Sequence, residues 1–527
     1  MATATATLGA IPAPATDAIP TRRIIAFLAM VFGMFMAILD IQIVSASLSE
    51  IQAGLSASSD EISWVQTAYL IAEVIMIPLS GFLGRLLSTR VLFAIAAAGF
   101  TAASALCATA TNIDQMIVYR AIQGFIGGGM IPSVFAVAFS LFPPEKRGIV
   151  SPMIGLVATL APTIGPTVGG YLSNAFSWHW LFLVNVGPGI LVAVAVYFLV
   201  DFDKPDRSLF RRFDFIGLAA MAVFLGSLEY VLEDGPRYDW FDDPTITTLA
   251  VMTVAGAAIF FWRAATSEQP IVDLGAFRDR NFAFGSAFSF VMGIGLYGLT
   301  YLYPVYLAQV RGYDALMIGE TMFVTGVAMF LTAPVSGRAS QVMDPRAMML
   351  IGFLGFALGT YLASHITADW DFKELLVPQI LRGCSLMFCM VPINNLSLGT
   401  LPPEKLKNAS GLFNLTRNLG GAVGLALINT VLNKRLDLHL ARLHESVSWG
   451  RPLAEEQLAN MTDLLVKQNG LQDQAALQQL AHVVRRQADV LAFADVFVVL
   501  TVMFAGMALF AMFMRKPAAT MASGGGH

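Results

Sequence analysis

The sequence predicts an all-α membrane protein with 14 membrane-spanning helices, arranged as two six-helix bundles with two helices inserted between them. Its composition, a series of apolar segments and an internal repeat lead to this prediction. Of the 527 residues, 56% are hydrophobic and only 13% are charged, whereas soluble domains carry about 25% charged residues. The net charge of −4 is small, so nothing in it indicates nucleic-acid binding.

Fourteen apolar segments are each long enough to cross a membrane, which takes about 20 mostly apolar residues. Residues 1–23 are predicted to be a disordered cytoplasmic tail, and residues 515–527 a second cytoplasmic tail. Segment 433–490 is too polar to span and is predicted to form one or two amphipathic helices outside the membrane. The predicted spans, numbered 1 to 14, are residues 24–47, 61–83, 91–110, 115–139, 148–172, 179–200, 213–232, 244–263, 281–304, 315–337, 347–366, 374–397, 408–432 and 491–514.

The distribution of basic residues predicts the orientation of the chain. With the N-terminus in the cytoplasm, the inner loops hold 19 Lys and Arg residues, and the short outer loops hold three, Arg237, Arg311 and Lys373. Short loops rich in Lys and Arg stay on the cytoplasmic side. Both termini are therefore predicted to be cytoplasmic. Segment 433–490 holds seven more basic residues, but long loops largely escape this rule.

An internal repeat predicts the two bundles. The motif Pro-Pro-Glu-Lys at residues 143–146 recurs at residues 402–405, which is 259 residues later. The motif Pro-x-Ser-Gly at residues 78–81 recurs at residues 334–337, which is 256 residues later. Repeated halves of this kind typically rock about a central cavity. The predicted domains are an N-terminal bundle at 24–201, two inserted helices at 213–265, and a C-terminal bundle at 281–514 that includes the polar extracytoplasmic segment.

Two ionisable residues in the N-terminal bundle are candidates for proton coupling. An ionisable group inside a span costs at least about 2.5 kcal/mol on insertion scales, so its presence there calls for a structural or functional explanation. Asp40 in span 1 and Arg120 in span 4 each lie a few residues from an outer end, roughly 10 Å deep at ~1.5 Å per residue, so they could meet. Desolvation raises the proton affinity of a carboxylate and a nearby cation lowers it. The pair is predicted to bind and release a proton as it separates and re-forms. A static pair that fixes helix packing is the alternative.

Further polar residues inside the spans are candidates for substrate contact. Glu73 in span 2 is predicted either to bind a cationic substrate or to hydrogen-bond to a neighbouring helix. Glu320 in span 10 is interpreted as a substrate or proton site or as an interfacial residue, and Glu229 as interfacial. Spans 4 and 13 carry polar residues at helical spacing on one face. The candidates on these two faces are Gln123, Asn414 and Arg417.

Span 5 is rich in small residues. Small residues let helices approach closely, and a proline removes one backbone donor. Tight packing alone would explain this pattern whatever the function. The residues concerned are Gly155, Gly165, Pro166, Gly169 and Gly170.

No candidate nucleophile, metal site or cofactor loop is present, so the chain is not expected to be an enzyme. No lysine follows a glycine anywhere in the sequence. A phosphate-binding P-loop requires that pair, and an ATP-driven pump of that type is excluded.

These motifs resemble the major facilitator superfamily. Arg120, Gln123 and Gly124 with the following Gly127 and Gly128 resemble its helix 4 signature, and the glycines and Pro166 of span 5 resemble its antiporter motif. The likeness runs from about residue 24 to residue 516. Residues that resemble the family's 14-helix drug:proton antiporters in particular are Leu39, Asp40, Ile43 and Val44, then Trp178, Trp180, Phe182 and Asn185, then Pro270, Ile271, Val272 and Asp273, and the polar face of span 13.

The resemblance implies a function and a location. It implies a proton-driven antiporter that exports amphipathic drugs or toxic small molecules across a bacterial inner membrane, with Asp40 and Arg120 in proton coupling and no cofactor besides the proton gradient. It also implies a periplasmic adaptor protein and an outer-membrane channel as partners. One departure is Arg85, which stands where the loop between helices 2 and 3 usually carries an acidic residue, so the usual inner gating relay is in question.

Other functions remain compatible with the sequence. A dedicated exporter of one natural product, such as a siderophore or a signal, and a proton-coupled metabolite symporter would use the same fold. A non-transporting membrane receptor or a membrane enzyme belongs to another class. The buried charges and the repeated halves favour transport over these last two, and the span 5 motif favours export over symport.

Overall fold

The computed structural model describes residues 20–143, 146–447 and 473–513, together with residues 451–452, 455–456, 458–459 and 462. Residues 1–19 and 515–527 of the predicted tails lie outside the described residues, as do Met514, Pro144 and Glu145. The prediction of a disordered tail is wrong for residues 21–23, which form the start of the first helix. The described residues are almost entirely helical, and none of them forms a strand. The fold class predicted from the sequence is therefore confirmed.

Within the described residues, fourteen long helices follow one another at the positions of the predicted spans. A short helix, Leu48–Leu55, connects the first two. The fourth helix is interrupted at Gly128 and Gly129. The helices are α1 Thr21–Ala46, α2 Ser59–Leu87, α3 Thr89–Cys107, α4 Ile113–Leu141, α5 Arg147–Ala175, α6 Trp180–Leu199, α7 Phe215–Asp234, α8 Pro244–Thr266, α9 Arg280–Gln309, α10 Ala315–Val342, α11 Pro345–Ala363, α12 Phe372–Leu398, α13 Pro403–Ser446 and α14 Asp473–Phe510.

Two of these helices are unusual as membrane spans. Among the described residues, 12 helices are long and apolar enough to cross a membrane, and α5 is a thirteenth if its two parts, Arg147–Pro162 and Ile164–Ala175, count as one span. These parts meet at a bend of 41°, as expected for a helix with internal prolines, since each removes a backbone donor. The remaining long helix, α13, is more polar and is not among these spans. The observed helices are thus roughly consistent with the predicted number.

The helices that flank the polar segment are longer than predicted. The sequence predicts that span 13 ends at residue 432 and that span 14 begins at residue 491, whereas α13 extends to Ser446 and α14 begins at Asp473. Asp495 of α14 joins the two, because its Oδ2 lies 2.8 Å from His439 Nε2 and 3.3 Å from Arg435 Nε of α13. Both ends of the polar segment therefore continue the neighbouring helices. The predicted helices are thus present in these described parts, as extensions of α13 and α14.

Polar caps determine where several helices begin. Asn112 Oδ1 accepts a hydrogen bond from the Gln115 backbone N–H at 2.9 Å, before α4. Asp279 and Asp314 cap α9 and α10 in the same way, each with a bond of 2.9 Å. A cap oxygen satisfies backbone donors that the first helical turn leaves without partners. These caps stabilise the N-terminal ends of α4, α9 and α10.

Glycines permit close contacts inside the N-terminal half. A Cβ atom on Gly165 of α5 would lie 2.4 Å from Cβ of Gln42, and one on Gly169 would lie 2.8 Å from the backbone oxygen of Ile43. A Cβ atom on Gly124 of α4 would lie 2.3 Å from the backbone oxygen of Tyr69. Any larger residue would push these helices apart. The glycines thus hold α5 against α1 and α4 against α2.

The two halves are joined where α1 starts and α14 ends, on the predicted cytoplasmic side. Lys407 Nζ donates to the Gly84 backbone oxygen at 2.8 Å and also contacts the Asp203 carboxylate. Arg147 Nη1 donates to the Gly399 oxygen at 3.0 Å. Near these contacts, Ser151 Oγ donates to Asn395 Oδ1 at 2.6 Å. These contacts join the two halves at the predicted cytoplasmic side.

Candidate functional site

Asp40 of α1 and Arg120 of α4 form an ion pair in the interior of the N-terminal half. Arg120 Nη1 lies 2.6 Å from Asp40 Oδ2, and both side chains are 0% exposed. Hydrogen bonds between two ionised groups are short and stronger than neutral ones. The predicted contact between the two residues is confirmed, while their role in proton coupling stays a prediction.

The Asp40 carboxylate also accepts hydrogen bonds from two amides. Gln123 Nε2 of α4 donates to its Oδ1 at 3.1 Å, and Asn185 Nδ2 of α6 donates to the same oxygen at 2.7 Å. Gln123 in turn accepts from Arg120 Nη1 through its Oε1 at 2.8 Å. An ionised carboxylate only accepts hydrogen bonds, whereas a protonated one must also donate. This set of donors therefore fits the ionised form of Asp40.

The Arg120 guanidinium is held by α2 as well. Its Nε donates to the Val65 backbone oxygen at 3.2 Å, and its Cζ lies 4.2 Å from the centroid of the Tyr69 ring, which is a cation–π contact. Its Nη2 is buried and has no hydrogen-bond partner in the part of the chain that the structure describes. The guanidinium can therefore keep its contacts to α2 if Asp40 moves away.

Glu73 of α2 is buried near this pair. It is 3% exposed and interacts electrostatically with both Arg120 and Asp40. No hydrogen bond or ion pair of Glu73 occurs within the described ranges, so the predicted hydrogen bond to a neighbouring helix is not observed. Its predicted role in binding a cationic substrate stays a prediction.

The structure corrects two predictions about acidic residues. Glu229 of α7 was interpreted as interfacial from its place in the sequence, but it is 6% exposed and interacts electrostatically with Glu73. Glu320 of α10 is exposed and shares its helix face with Phe323 and Leu331, which are 55% and 64% exposed. It therefore points outward from the bundle, and the structure removes it from the candidate cavity residues.

Asn414 and Arg417 of α13 lie where the two halves meet. Arg417 is 3% exposed, donates through Nη2 to Asn414 Oδ1, and lies with its Cζ 5.1 Å from the ring centroid of Phe135 of α4. On the same face of α13, Asn418 Oδ1 accepts from the Tyr297 hydroxyl of α9 at 3.3 Å. The predicted polar face of span 13 is thus buried against both halves.

The residues of the span 5 motif differ in their surroundings. Gly165 and Gly169 make the close contacts with α1, and Pro166 follows the bend of α5. A Cβ atom on Gly155 would meet Met387 of α12 at an ordinary 3.5 Å, and Gly170 is partly exposed. Close packing is therefore seen at two of these positions. The antiporter role of the motif stays a prediction.

Asn185 belongs to the site, although it is not among the site residues predicted from the sequence. Asn185 is 2% exposed and donates to Ser104 Oγ of α3 at 3.2 Å as well as to Asp40. A signal was available, because a buried amide in an apolar helix needs a hydrogen-bonding partner. The sequence could not indicate that this partner was Asp40.

Asp203 supplies the acidic group that the loop between α2 and α3 lacks. Its carboxylate accepts from the Thr89 backbone N–H at 3.0 Å and from Thr89 Oγ1 at 3.1 Å, while it also contacts Lys407. It follows α6, far from this loop in sequence. A carboxylate is thus present at the predicted cytoplasmic side although Arg85 replaces the usual one.

Comparison with known proteins shows the family. The sequence model of the Major Facilitator Superfamily matches residues 30–425. The chain is 42% identical over 490 residues to the colistin resistance protein EmrB of Acinetobacter baumannii, covering 93% of this chain and 96% of that protein. It is 29% identical over 504 residues to the multidrug export protein EmrB of Escherichia coli K12, covering 95% and 97%. It is 28% identical over 501 residues to the fatty acid resistance protein FarB of Neisseria gonorrhoeae, covering 95% and 97%.

A solved structure supports the fold. The human organic anion transporter MFSD10 aligns with a TM-score of 0.57 at 13% sequence identity, covering 92% of this chain and 100% of that one. This likeness concerns the fold alone. Together with the family match and the two repeated halves, it leads to one conclusion: the chain belongs to the major facilitator superfamily of membrane transporters.

Proposed function

We propose that the protein is a proton-driven exporter of amphipathic small molecules, in which Asp40 and Arg120 couple proton movement to the change between outward-facing and inward-facing states. The observation that supports this most is the buried ion pair at 2.6 Å. A charged pair with 0% exposure is costly to bury, and a titratable carboxylate within it provides a reason for that cost.

The hydrogen bonds around Asp40 suggest how coupling works. A proton that reaches Asp40 from outside neutralises the carboxylate, so its attraction to Arg120 is lost. Arg120 keeps Val65 and Tyr69 of α2 as partners, and α1 is then free to move relative to α4. This favours return of the empty carrier to the inward-facing state. Release of the proton to the cytoplasm restores the pair and completes the cycle.

The proposed substrates and location rest on the relatives. Their names refer to colistin resistance, multidrug export and fatty acid resistance, which supports export of toxic amphipathic compounds. We place the protein in a bacterial inner membrane with both termini in the cytoplasm, in agreement with the distribution of basic residues.

A tripartite assembly is part of the proposal. The parts of α13 and α14 that extend beyond the predicted spans lie on the side opposite the termini, where they present a helical surface linked by Asp495. A periplasmic adaptor protein that leads to an outer-membrane channel would bind on this side.

Transport by purified protein in liposomes tests the proposal. With an imposed pH gradient, the wild-type protein is expected to move a lipophilic dye against the direction of proton flow, while Asp40→Asn is expected to lose this movement because its amide cannot exchange a proton. Glu320→Gln is the matched control, since Glu320 points outward, and should retain transport. Intact gradient-driven efflux by Asp40→Asn would overturn the assignment of Asp40. Movement of the dye together with protons would indicate a symporter instead.

A further inference from the structure

We propose that a pocket at the predicted cytoplasmic ends of α9, α12 and α13 binds a phosphate ester, with Arg278 and Lys405 as the residues that hold the phosphate. The pocket lies where the segment that links the inserted helices to α9 meets the turn between α12 and α13. It is separate from the ion pair of the proposed export cycle. Two motifs meet there, at residues 270–273 and 402–405, and neither has a part in that cycle.

The pocket is a cavity with a volume of about 450 Å³. One wall is the short helical turn Leu274–Arg278 with the residues on either side of it, and the other wall is the turn between α12 and α13. Small-molecule sites typically measure about 300–1,000 Å³, so the cavity can hold a phosphate group and part of the group esterified to it. The charged residues that line it are Asp273, Arg278, Asp279 and Lys405.

Hydrogen bonds hold the two walls of the pocket together. Asn408 Nδ2 of α13 donates to the Asp273 backbone oxygen at 2.6 Å, and the Asp273 backbone N–H donates to Asn408 Oδ1 at 3.1 Å. The Phe277 ring of the helical turn packs edge-on against Phe282 of α9, with the ring centroids 5.1 Å apart. The walls are therefore preformed, and a ligand need not order them when it binds.

The two basic residues of the pocket are available for an anion. Arg278 and Lys405 are both exposed, and neither forms an ion pair or a side-chain hydrogen bond with another described residue. Lys407, two residues further along α13, is engaged instead with Gly84 and Asp203. A guanidinium and an ammonium that line one pocket favour phosphate oxygens, because the hydrogen bonds that they donate are charge-assisted.

The start of α13 adds backbone donors to the pocket. Pro402 precedes the first turn of α13 and has no side chain that accepts from its N–H groups. The N–H groups and the dipole at such a helix start favour an anion. By contrast, α9 begins after Asp279, whose Oδ1 accepts from the Phe282 backbone N–H at 2.9 Å. The phosphate is therefore expected to lie nearer the start of α13 than the start of α9.

The two acidic residues restrict the class of ligand. Asp273 Oδ1 accepts from the Gly275 backbone N–H at 2.7 Å, and the Oδ2 atoms of Asp273 and Asp279 have no hydrogen bond within the described residues. A carboxylate repels a bare anion but accepts from a hydroxyl or ammonium group. Asp273 also interacts electrostatically with Arg85 of α2, which offsets part of its charge. The pocket therefore fits a phosphate ester whose other part donates hydrogen bonds, as glycerol phosphate does.

Such a group can belong to a membrane lipid or to a soluble metabolite, and binding to the purified full-length protein in detergent distinguishes these sources. Native mass spectrometry measures the binding of phosphatidylglycerol, and titration calorimetry measures that of glycerol 3-phosphate. Arg278→Gln combined with Lys405→Gln is expected to weaken the binding of at least one probe at least about tenfold. A loss for phosphatidylglycerol alone would identify a lipid headgroup as the ligand. A loss for glycerol 3-phosphate alone would identify a soluble ester.

The matched control removes the same charge from the same side of the protein. Lys146 is the counterpart of Lys405 in the first Pro-Pro-Glu-Lys motif, and Arg280 lies two residues after Arg278. Both are exposed, and neither is among the lining residues that the structure describes. Lys146→Gln combined with Arg280→Gln should bind both probes as the wild type does. Equal losses in the two double variants would overturn the inference, and so would unchanged binding of both probes by the pocket variant or a wild type that binds neither.

A measurement on the wild type alone avoids any folding defect of the variants. Acetic anhydride acetylates exposed lysines, and mass spectrometry compares Lys405 with Lys146 in the same sample. A saturating amount of phosphatidylglycerol or of glycerol 3-phosphate is expected to protect Lys405 from acetylation and to leave Lys146 reactive. Acetylation of Lys405 that neither probe reduces, or equal protection of both lysines, would contradict the inference.

Discussion

The two halves of the protein each bury an arginine of their fourth helix, but they give it different partners. In the N-terminal half, Arg120 of α4 contacts the Asp40 carboxylate of α1 at 2.6 Å. In the C-terminal half, Arg382 of α12 donates through Nη2 to the Thr300 hydroxyl of α9. The Nε and Nη1 atoms of Arg382 are buried without a partner in the part of the chain that the structure describes. One half thus holds an ion pair where the other holds a lone cation.

This difference places the buried acid–base pair in the N-terminal half. A carboxylate gains and loses a proton near neutral pH when its surroundings shift its affinity, whereas a threonine hydroxyl does not titrate. The same asymmetry recurs on α2 and α10. Five residues before the repeated proline, the N-terminal half has Glu73 and the C-terminal half has the buried Met329. The duplicated scaffold has kept its helix packing while proton coupling is confined, in our proposal, to the N-terminal half.

Removal of each arginine is expected to give the largest difference in stability between the two halves. Arg120→Gln leaves the Asp40 carboxylate buried without its cation, which costs about 3–5 kcal/mol when such a pair is broken. Arg382→Gln leaves only a neutral hydroxyl and removes an unbalanced charge, so it is expected to cost less or to stabilise. The melting temperatures of both variants in detergent measure this. Equal losses would show that the buried pair does not distinguish the halves.

Adding a carboxylate beside Arg382 tests the same difference between the halves, because it gives the C-terminal arginine an acidic partner. Thr300→Asp places an acid beside Arg382, and we expect the variant to fold, because the new charge has a ready partner. The matched control is Leu299→Asp, since Leu299 is 1% exposed and has no such contact. It is expected to lose several kcal/mol of stability, on the order of the penalty for an unpaired buried ion. Expression and melting temperature provide the comparison, and similar behaviour of both variants would contradict it.

Asn185 is expected to stabilise the site through its hydrogen bond to the Asp40 carboxylate. Asn185→Leu removes one donor to the ionised Asp40, a bond worth about 1.5–3 kcal/mol for a charged acceptor. The loss of this bond weakens the buried site, so the melting temperature of the variant in detergent should fall below that of the wild type. Asn394→Leu is the control in the C-terminal half, because the Asn394 Nδ2 is buried without a partner among the described residues. Its melting temperature should fall less, and a loss of equal size would argue against a specific role for Asn185.

The smallest effect is expected when the contact between Asp203 and Lys407 at the predicted cytoplasmic side is removed. Asp203 and Lys407 are 20% and 23% exposed, and partly solvated pairs contribute about 1 kcal/mol or less. Asp203→Asn should shift the population toward the inward-facing state by about fivefold or less. Distances between spin labels on the cytoplasmic ends of α2 and α13 measure this shift. A larger change would mean that Asp203 does more than join the two halves.

Much of the fold could be predicted because its signals are local. Apolar segments of the right length and the repeated prolines are visible in the sequence itself, and they indicated the helices and the two halves. The contact between Asp40 and Arg120 could also be predicted, since position along a span gives an approximate depth. The ends of α13 and α14 were missed because hydropathy reports where a helix is apolar. It does not report where the helix stops.

The sequence alone therefore determined that the chain is a polytopic helical membrane protein with duplicated halves and a buried acid–base pair. Only the tertiary structure decided that Asn185 donates to Asp40, that Arg382 faces a threonine, that Glu229 is buried and that Glu320 points outward. The physical reason is that lipid and protein interior are both apolar, so the pattern along a membrane helix does not show which face is inside. That is decided by the packing of helices that are distant in sequence.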